Sequence, residues 1–375
     1  MAHFDLVFEG GGAKGSVFAG ALEVFYAAGH QPARLVGTSA GAITATLLAA
    51  WYTPAQMLEA VNEQLDGKPR FASFMDVPVE SEFDSQTRTE SQLQNILNQV
   101  DTPAVPAFLE SRIDAVLIER LLAVSPHFRQ LFGFVECGGL FSGRTFVEWL
   151  NEKLEAHQVP RGCTMRQMNL AKGCDLSLVV TDTTNRQMRV LNHRTAPDVP
   201  VAMAVRMSMS IPFVWREVVW KSEWGTYCGL DISGAKIVDG GVLSNFPIDL
   251  VACSDERIRQ IMGERSDPNA ALNLGMLIDE NIAVPGIDEK PVRTNPLHSV
   301  RRVQRLVDTM TGARDNALLD EFNDQVCRLP AKGYGTTEFD MPKPKIDALV
   351  EAGRSAMRAH LASRTVPPAA ATGGV

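Results

Sequence analysis

The chain has 375 residues, of which 45% are hydrophobic and 21% charged, and its formal net charge is -8. That is enough apolar material for a sizeable core, and the acidic balance excludes a nucleic-acid binder that works by broad electrostatic attraction. Six scattered cysteines (Cys137, Cys163, Cys174, Cys228, Cys253, Cys327) without C-x-x-C spacing argue for free thiols in a reducing compartment and against a zinc site.

The N-terminal "MAHFDLVFEGGG" has no basic region, apolar core or cleavage site of a signal peptide, so a cytoplasmic protein is expected. The longest apolar stretch, Ala40 to Trp51, contains Gly41, Thr44 and Thr46 and is too short to span a bilayer. Residues 4–8 read as a buried strand that ends at glycines. Residues 15–28 put Val17, Phe18, Ala21, Leu22, Val24 and Phe25 on one helical stripe. "ARLVGTS" is a second short strand ending in a sharp turn, and "AGAITATLLAAWY" a small-residue helix suited to close packing on a sheet. This βαβα opening predicts an α/β fold of three layers, α/β/α, around a mainly parallel central sheet.

Residues 66–140 differ. A polar, proline-bearing piece precedes amphipathic segments (Leu93, Ile96, Leu97, Val100, then Ile113, Val116, Leu117, Leu121), which read either as an inserted helical cap or as more of the helical layer. Strand signals return at "CDLSLVVTDTT", "QMRVLN", "GAKIVDGG" and "ALNLGMLIDE", with helices such as "TFVEWLNEKLEAH" between them. The expected organisation is one domain over 1–365 and a disordered tail over 366–375.

Two glycine motifs carry the chemistry. The first, Gly10, Gly12 and Gly15 of "EGGGAKG", has the G-x-G-x-x-G spacing of a dinucleotide cradle. Such a cradle also needs a carboxylate about twenty positions on, to hold the ribose hydroxyls, and none occurs between Glu23 and Leu47. In that place stands "GTSAG", Gly37 to Gly41, a nucleophile-elbow pattern between a strand and a helix. Loops at the carboxyl ends of neighbouring parallel strands lie side by side, so the amides of the first motif can serve an oxyanion while Ser39 attacks.

No histidine sits in a catalytic motif, and His298 is the weak runner-up as a base. The strongest carboxylate is Asp239 in "KIVDGGVLSNFP", after a strand and before Gly240 and Gly241; the alternative is an aspartate that merely caps a D-G turn.

Together "GGGAKG", "GTSAG" and "DGG", with "AVRMSMSIPFVWREV" between the last two, resemble the patatin-like phospholipase family. The resemblance covers most of residues 4–250 and fades in the cap-like part; Glu9 is a minor variation. It implies a lipid acyl hydrolase, phospholipase A or lysophospholipase, with Ser39 as nucleophile and Asp239 as general base. It also implies oxyanion donors at Gly10, Gly11, Gly12 and Ala13, with Lys14 anchoring the loop, and neither cofactor nor metal. Such a dyad requires a retuned aspartate, since a carboxyl near pKa 4 is a poor base for a hydroxyl.

The expected partner is a phospholipid or lysophospholipid, and the basic amphipathic stretch 295–312 reads either as a surface helix packed on the sheet, the commoner case, or as a helix that docks on anionic lipid and gives peripheral membrane contact. Phe71, Phe74, Met75, Phe108, Phe128, Leu131, Phe132 and Phe134 either line an acyl groove or form ordinary core. A broad carboxylesterase, a nucleotide-cofactor oxidoreductase and a non-catalytic binding module are the competing readings.

Overall fold

The computed structural model describes residues 2–99, 115–253, 255–264, 271–287, 321–336 and 338–364. His298, Phe108, the stretch 295–312 and the tail 366–375 lie outside them.

The chain opens as its pattern predicts: β1 (His3–Phe8), α1 (Val17–Ala27), β2 (Gln31–Thr38) and α2 (Ala40–Ala49), with a 3-10 turn over Gly12–Ser16. Next come α3 (Pro54–Val61), started by a Thr53–Gln56 capping box, and a small hairpin of β3 (Gln64–Leu65) and β4 (Lys68–Pro69). The cap-like part contains α4 (Ser85–Thr89), α5 (Gln92–Gln99), α6 (Ala115–Val124) and α7 (Pro126–Cys137). These helices enclose a separate small cluster of Phe83, Leu93, Ile118, Leu122 and Phe132. Then follow β5 (Gly139–Phe141), α8 (Arg144–Ala156), α9 (Met165–Lys172), β6 (Asp175–Asp182), β7 (Gln187–Leu191) and α10 (Val201–Ser208). The remaining elements are β8 (Phe213–Trp215), β9 (Val218–Val219), β10 (Lys236–Asp239), α11 (Asp249–Ala252), α12 (Glu256–Met262), β11 (Ala271–Ala283), β12 (Val326–Lys332) and a last helix, Lys343–Ser363.

Strands β12, β11, β1, β2 and β6 pair in that order, all parallel, while β7 and β10 pair antiparallel to β6. The sheet is buried on both faces, which is why its strands read as nearly unbroken apolar runs. Period-two alternation then divides them. β1 sends Phe4, Leu6 and Phe8 into the large core and Val7 to the opposite face; β2 splits likewise at Leu35 and Val36, and β6 at Leu178 and Val179. The large core lies under α1, α2, α8, α10 and the last helix, the smaller one under α11 and α12, giving the three layers. The last helix crosses α1 at close range: a side chain at Gly20 would collide with the Val350 carbonyl, and one at Gly353 with that of Val17.

Among the described residues no helix is long and apolar enough to cross a membrane. All six cysteines are unpaired.

Candidate active site

Ser39 occupies the one-residue turn from β2 into α2, with φ 51° and ψ -117°. A non-glycine residue in this region costs on the order of 1–3 kcal/mol, so the surroundings must enforce it. They do so by proximity: a side chain at Gly37 would strike the Gly41 carbonyl, and one at Gly41 that of Phe8. The Ser39 amide is fixed separately, donating at 3.0 Å to Ser208 Oγ, which itself donates to Val179 O at 2.6 Å.

Asp239 reaches Ser39 by an unexpected route. One edge of β6 pairs with β7 from Leu178 to Asp182. The other edge is therefore shared, by β2 up to the Thr38↔Val179 pair and by β10 from the Asp239↔Val180 pair onward. Since β2 runs parallel to β6 and β10 antiparallel, their carboxyl ends meet head-on, and a side chain at Gly240 would touch both Val179 O and the Thr38 methyl. The Asp239 amide donates to Ser210 O at 3.0 Å. Ser208 and Ser210, at the end of α10, thus hold the two halves of this junction. Buried Arg206 braces them from below through Ser210 Oγ, Ser142 O and Arg216 O.

Asp239 is buried, and desolvation raises its pKa to about 7. Two opposing influences, the Gly241 amide and the neighbouring Ser39 side chain, pull it down by less. Oδ1 accepts the Gly241 N–H at 2.7 Å, whereas Oδ2 has no partner in full hydrogen-bond geometry, so Ser39 lies within influence but is not yet bonded to it. The carboxyl can therefore take up and release a proton close to neutral pH.

The glycine loop closes the site, because Gly10 lies against the Ser39 side chain and that of Asn245. Two of its amides already have backbone acceptors. The Gly10 amide is committed to Asn245 O at 3.0 Å and that of Ala13 to Thr336 O at 2.9 Å, which leaves Gly11 and Gly12 without acceptors among the described residues. Gly12 has φ 56° and backs onto Thr336 O, a place with no room for a side chain. The Ala40 amide, first of α2, also has no intrahelical acceptor. Buried Lys14 donates to the Glu280 carboxylate on β11 and ties the loop down, while Gly15 packs on Ala40.

Sequence reasoning missed Asn245. Its Nδ2 donates to Gly10 O and to Glu9 Oε1, both at 3.0 Å, and Glu9 Oε2 accepts from Ile278 N. One amide side chain in the turn after Gly241 thus ties the glycine loop to the Asp239 segment. Its only sequence signal is an isolated polar residue in "SNFP".

Ser39 opens into a small apolar compartment walled by Phe71, Phe74, Phe146, Met209, Ile211 and Trp215. Beside it runs a larger apolar groove, open to solvent, between α1, α2, α3 and the segment before the last helix. Of the aromatic residues considered for an acyl groove, Phe71 and Phe74 line the space beside Ser39. Phe128 and Phe132 belong to the small cap cluster, Phe134 packs on Phe213, Met75 packs against the large core and Leu131 is exposed. None of the six described histidines lines either space: His30 packs on Phe4, His157 stacks on Tyr52, and the last helix carries His360. Among the described residues no cluster of three or more His, Cys, Asp or Glu could hold a metal.

Comparison with known proteins identifies the family. The chain is 30% identical over 359 residues to the uncharacterized protein YqhO of Bacillus subtilis (strain 168), covering 94% of this chain and 96% of that one. A shorter match, 23% identical over 113 residues, covers 30% of this chain and 35% of the probable lipid hydrolase 463L of Invertebrate iridescent virus 6. Among solved structures, VipD from Legionella pneumophila aligns over 97% of this chain and 67% of its own, at 18% identity and a TM-score of 0.46. The family model for patatin-like phospholipase matches residues 6–252, which contain Ser39, Asp239, the glycine loop and Asn245. The chain therefore belongs to the patatin-like phospholipase family.

Proposed function

We propose that this protein is a lipid acyl hydrolase, of phospholipase A or lysophospholipase type, that cleaves carboxylic esters through a Ser39–Asp239 dyad and an acyl-enzyme. The observation that carries the reading is the head-on meeting of β2 and β10 on one edge of β6, which sets a strained serine beside a buried carboxyl with a pKa raised to about 7.

Ionised Asp239 takes the Ser39 hydroxyl proton as Oγ attacks the ester carbonyl. The amides of Gly11 and Gly12, joined by that of Ala40 at the positive end of α2, receive the oxyanion. Protonated Asp239 then gives its proton to the departing alcohol. In the second half, ionised Asp239 takes a proton from the water that attacks the acyl carbon and returns it to Ser39 Oγ as the ester bond to the serine breaks and the fatty acid leaves. The apolar walls around Ser39 suit an acyl chain and keep bulk water from the carboxyl, which is also what raises its pKa. Asn245, Lys14 and Ser208 act as positioning residues. Substrate comes from a membrane or micelle that the protein contacts peripherally.

Mass spectrometry of products from defined phospholipids tests this directly. Wild type should yield free fatty acid and lysolipid, and Ser39→Ala neither. Equal product from Ser39→Ala would refute the reading. So would a wild type that neither cleaves these lipids nor reacts with a fluorophosphonate at Ser39.

A further inference from the structure

Both spaces beside Ser39 share a wall that comes from outside the family-matched residues 6–252. After β12 the chain turns back over the glycine loop, where Thr336 O accepts the Ala13 amide and closes against Gly12. Three residues later Phe339 borders the Ser39 compartment on one side and the larger groove on the other. Its ring is held between Trp215, edge-on at 5.8 Å, and Phe71, stacked at 6.4 Å.

The backbone on either side of that ring is fastened. Glu338 is buried; both its oxygens accept from Lys345 Nζ, at 2.6 and 2.7 Å, and Oε2 also accepts the Gly335 amide at 3.1 Å. Tyr334 Oη donates to Lys345 O at 2.8 Å, and the Lys345 ammonium lies 4.7 Å over the Tyr334 ring. A loop tied at Thr336, Glu338 and Tyr334 holds its aromatic ring as a fixed partition.

We propose that Phe339 is a specificity-determining residue that sets how long an acyl chain the Ser39 site accepts, by narrowing the passage from the Ser39 compartment into the groove. This rests on the acyl-hydrolase reading above. A short acyl group needs only the Ser39 compartment that the ring borders, whereas a long one must thread past Phe339 between Gly12, Ile43 and Phe71 to lie in the groove. Removing the ring joins the two spaces, and a larger ring closes the passage.

The test compares kcat/KM for p-nitrophenyl butyrate and p-nitrophenyl palmitate, in the same mixed micelles, for wild type, Phe339→Ala, Phe339→Leu and Phe339→Trp. The long-to-short ratio should rise about 10-fold in Phe339→Ala and fall about 10-fold in Phe339→Trp, the scale on which apolar pocket contacts discriminate chains. Phe339→Leu should fall between wild type and Phe339→Ala, which keeps the trend readable if one variant does not fold. Ser39-dependent butyrate hydrolysis with a ratio unchanged across the variants would overturn the partition alone. Absence of Ser39-dependent hydrolysis of either ester in wild type would overturn the acyl-hydrolase reading and the partition with it.

Discussion

The Ser39 turn and the glycine loop face one pocket, yet different parts of the fold hold them. Ser39 and Asp239 are set by the sheet itself, through the meeting of two strand ends on β6, and by Ser208 at the end of α10 with Ser210 just beyond it. The glycine loop has no such frame. It hangs on Asn245, on Lys14 with its partner Glu280, and on the Thr336 carbonyl. Ser39 and Asp239 take their geometry from backbone pairing that many residues enforce, and the glycine loop takes its geometry from a few side chains and one strap, a difference that matters if the two act as proposed. Damage to the first should abolish chemistry, and damage to the second should degrade it in steps.

Asp239→Asn should have the largest effect, lowering kcat by at least about 10³-fold with the fold intact, as steady-state kinetics on a soluble ester would reveal. The same change should stabilise the protein at alkaline pH. The folded pKa, about 7, lies above the ordinary value of 3.8, so Asp239's contribution to stability is complete below about pH 4 and is lost as pH rises through 7. Asparagine carries no such penalty. Denaturant melts should show the variant gaining up to about 4 kcal/mol on wild type above pH 7, with the gap vanishing near pH 4. A gap independent of pH would mean that the carboxyl is not retuned.

Asn245→Ala loosens the loop and leaves the dyad in place, so it should cost about 10²-fold in kcat with a smaller change in KM. Loss as complete as in Asp239→Asn would erase the distinction between the two regions. Glu280→Gln should have the smallest effect, a few-fold in kcat, because Glu280 is 62% exposed and water stands in for part of its charge. A loss near that of Asn245→Ala would make the Lys14 tie as important as the Asn245 brace.

Much of this was legible in the sequence, for local reasons. Residues 3–49 show their periods and turn glycines in order, and Ser39 stands where a strand pattern gives way to a helix pattern. Asp239 was legible as a carboxyl at the end of a strand. Its approach to Ser39 was not, because it depends on β10 filling the edge of β6 that β2 vacates, two long-range pairings (Asp239 with Val180, Thr38 with Val179) that leave no local signature. The engagement of the Gly10 and Ala13 amides was equally hidden, since their acceptors belong to Asn245 and Thr336. In sequence the phenylalanines at 71, 74, 128 and 132 look alike; only packing sends two to the site and two to the cap cluster.

The sharpest test of Asp239 as the base is the pH dependence of kcat/KM for a soluble ester. With Asp239 as the base, the profile should rise with the loss of one proton at an apparent pKa near 7 and then level off. A profile already flat from about pH 5 upward would show a base with an ordinary carboxylate pKa and contradict the account.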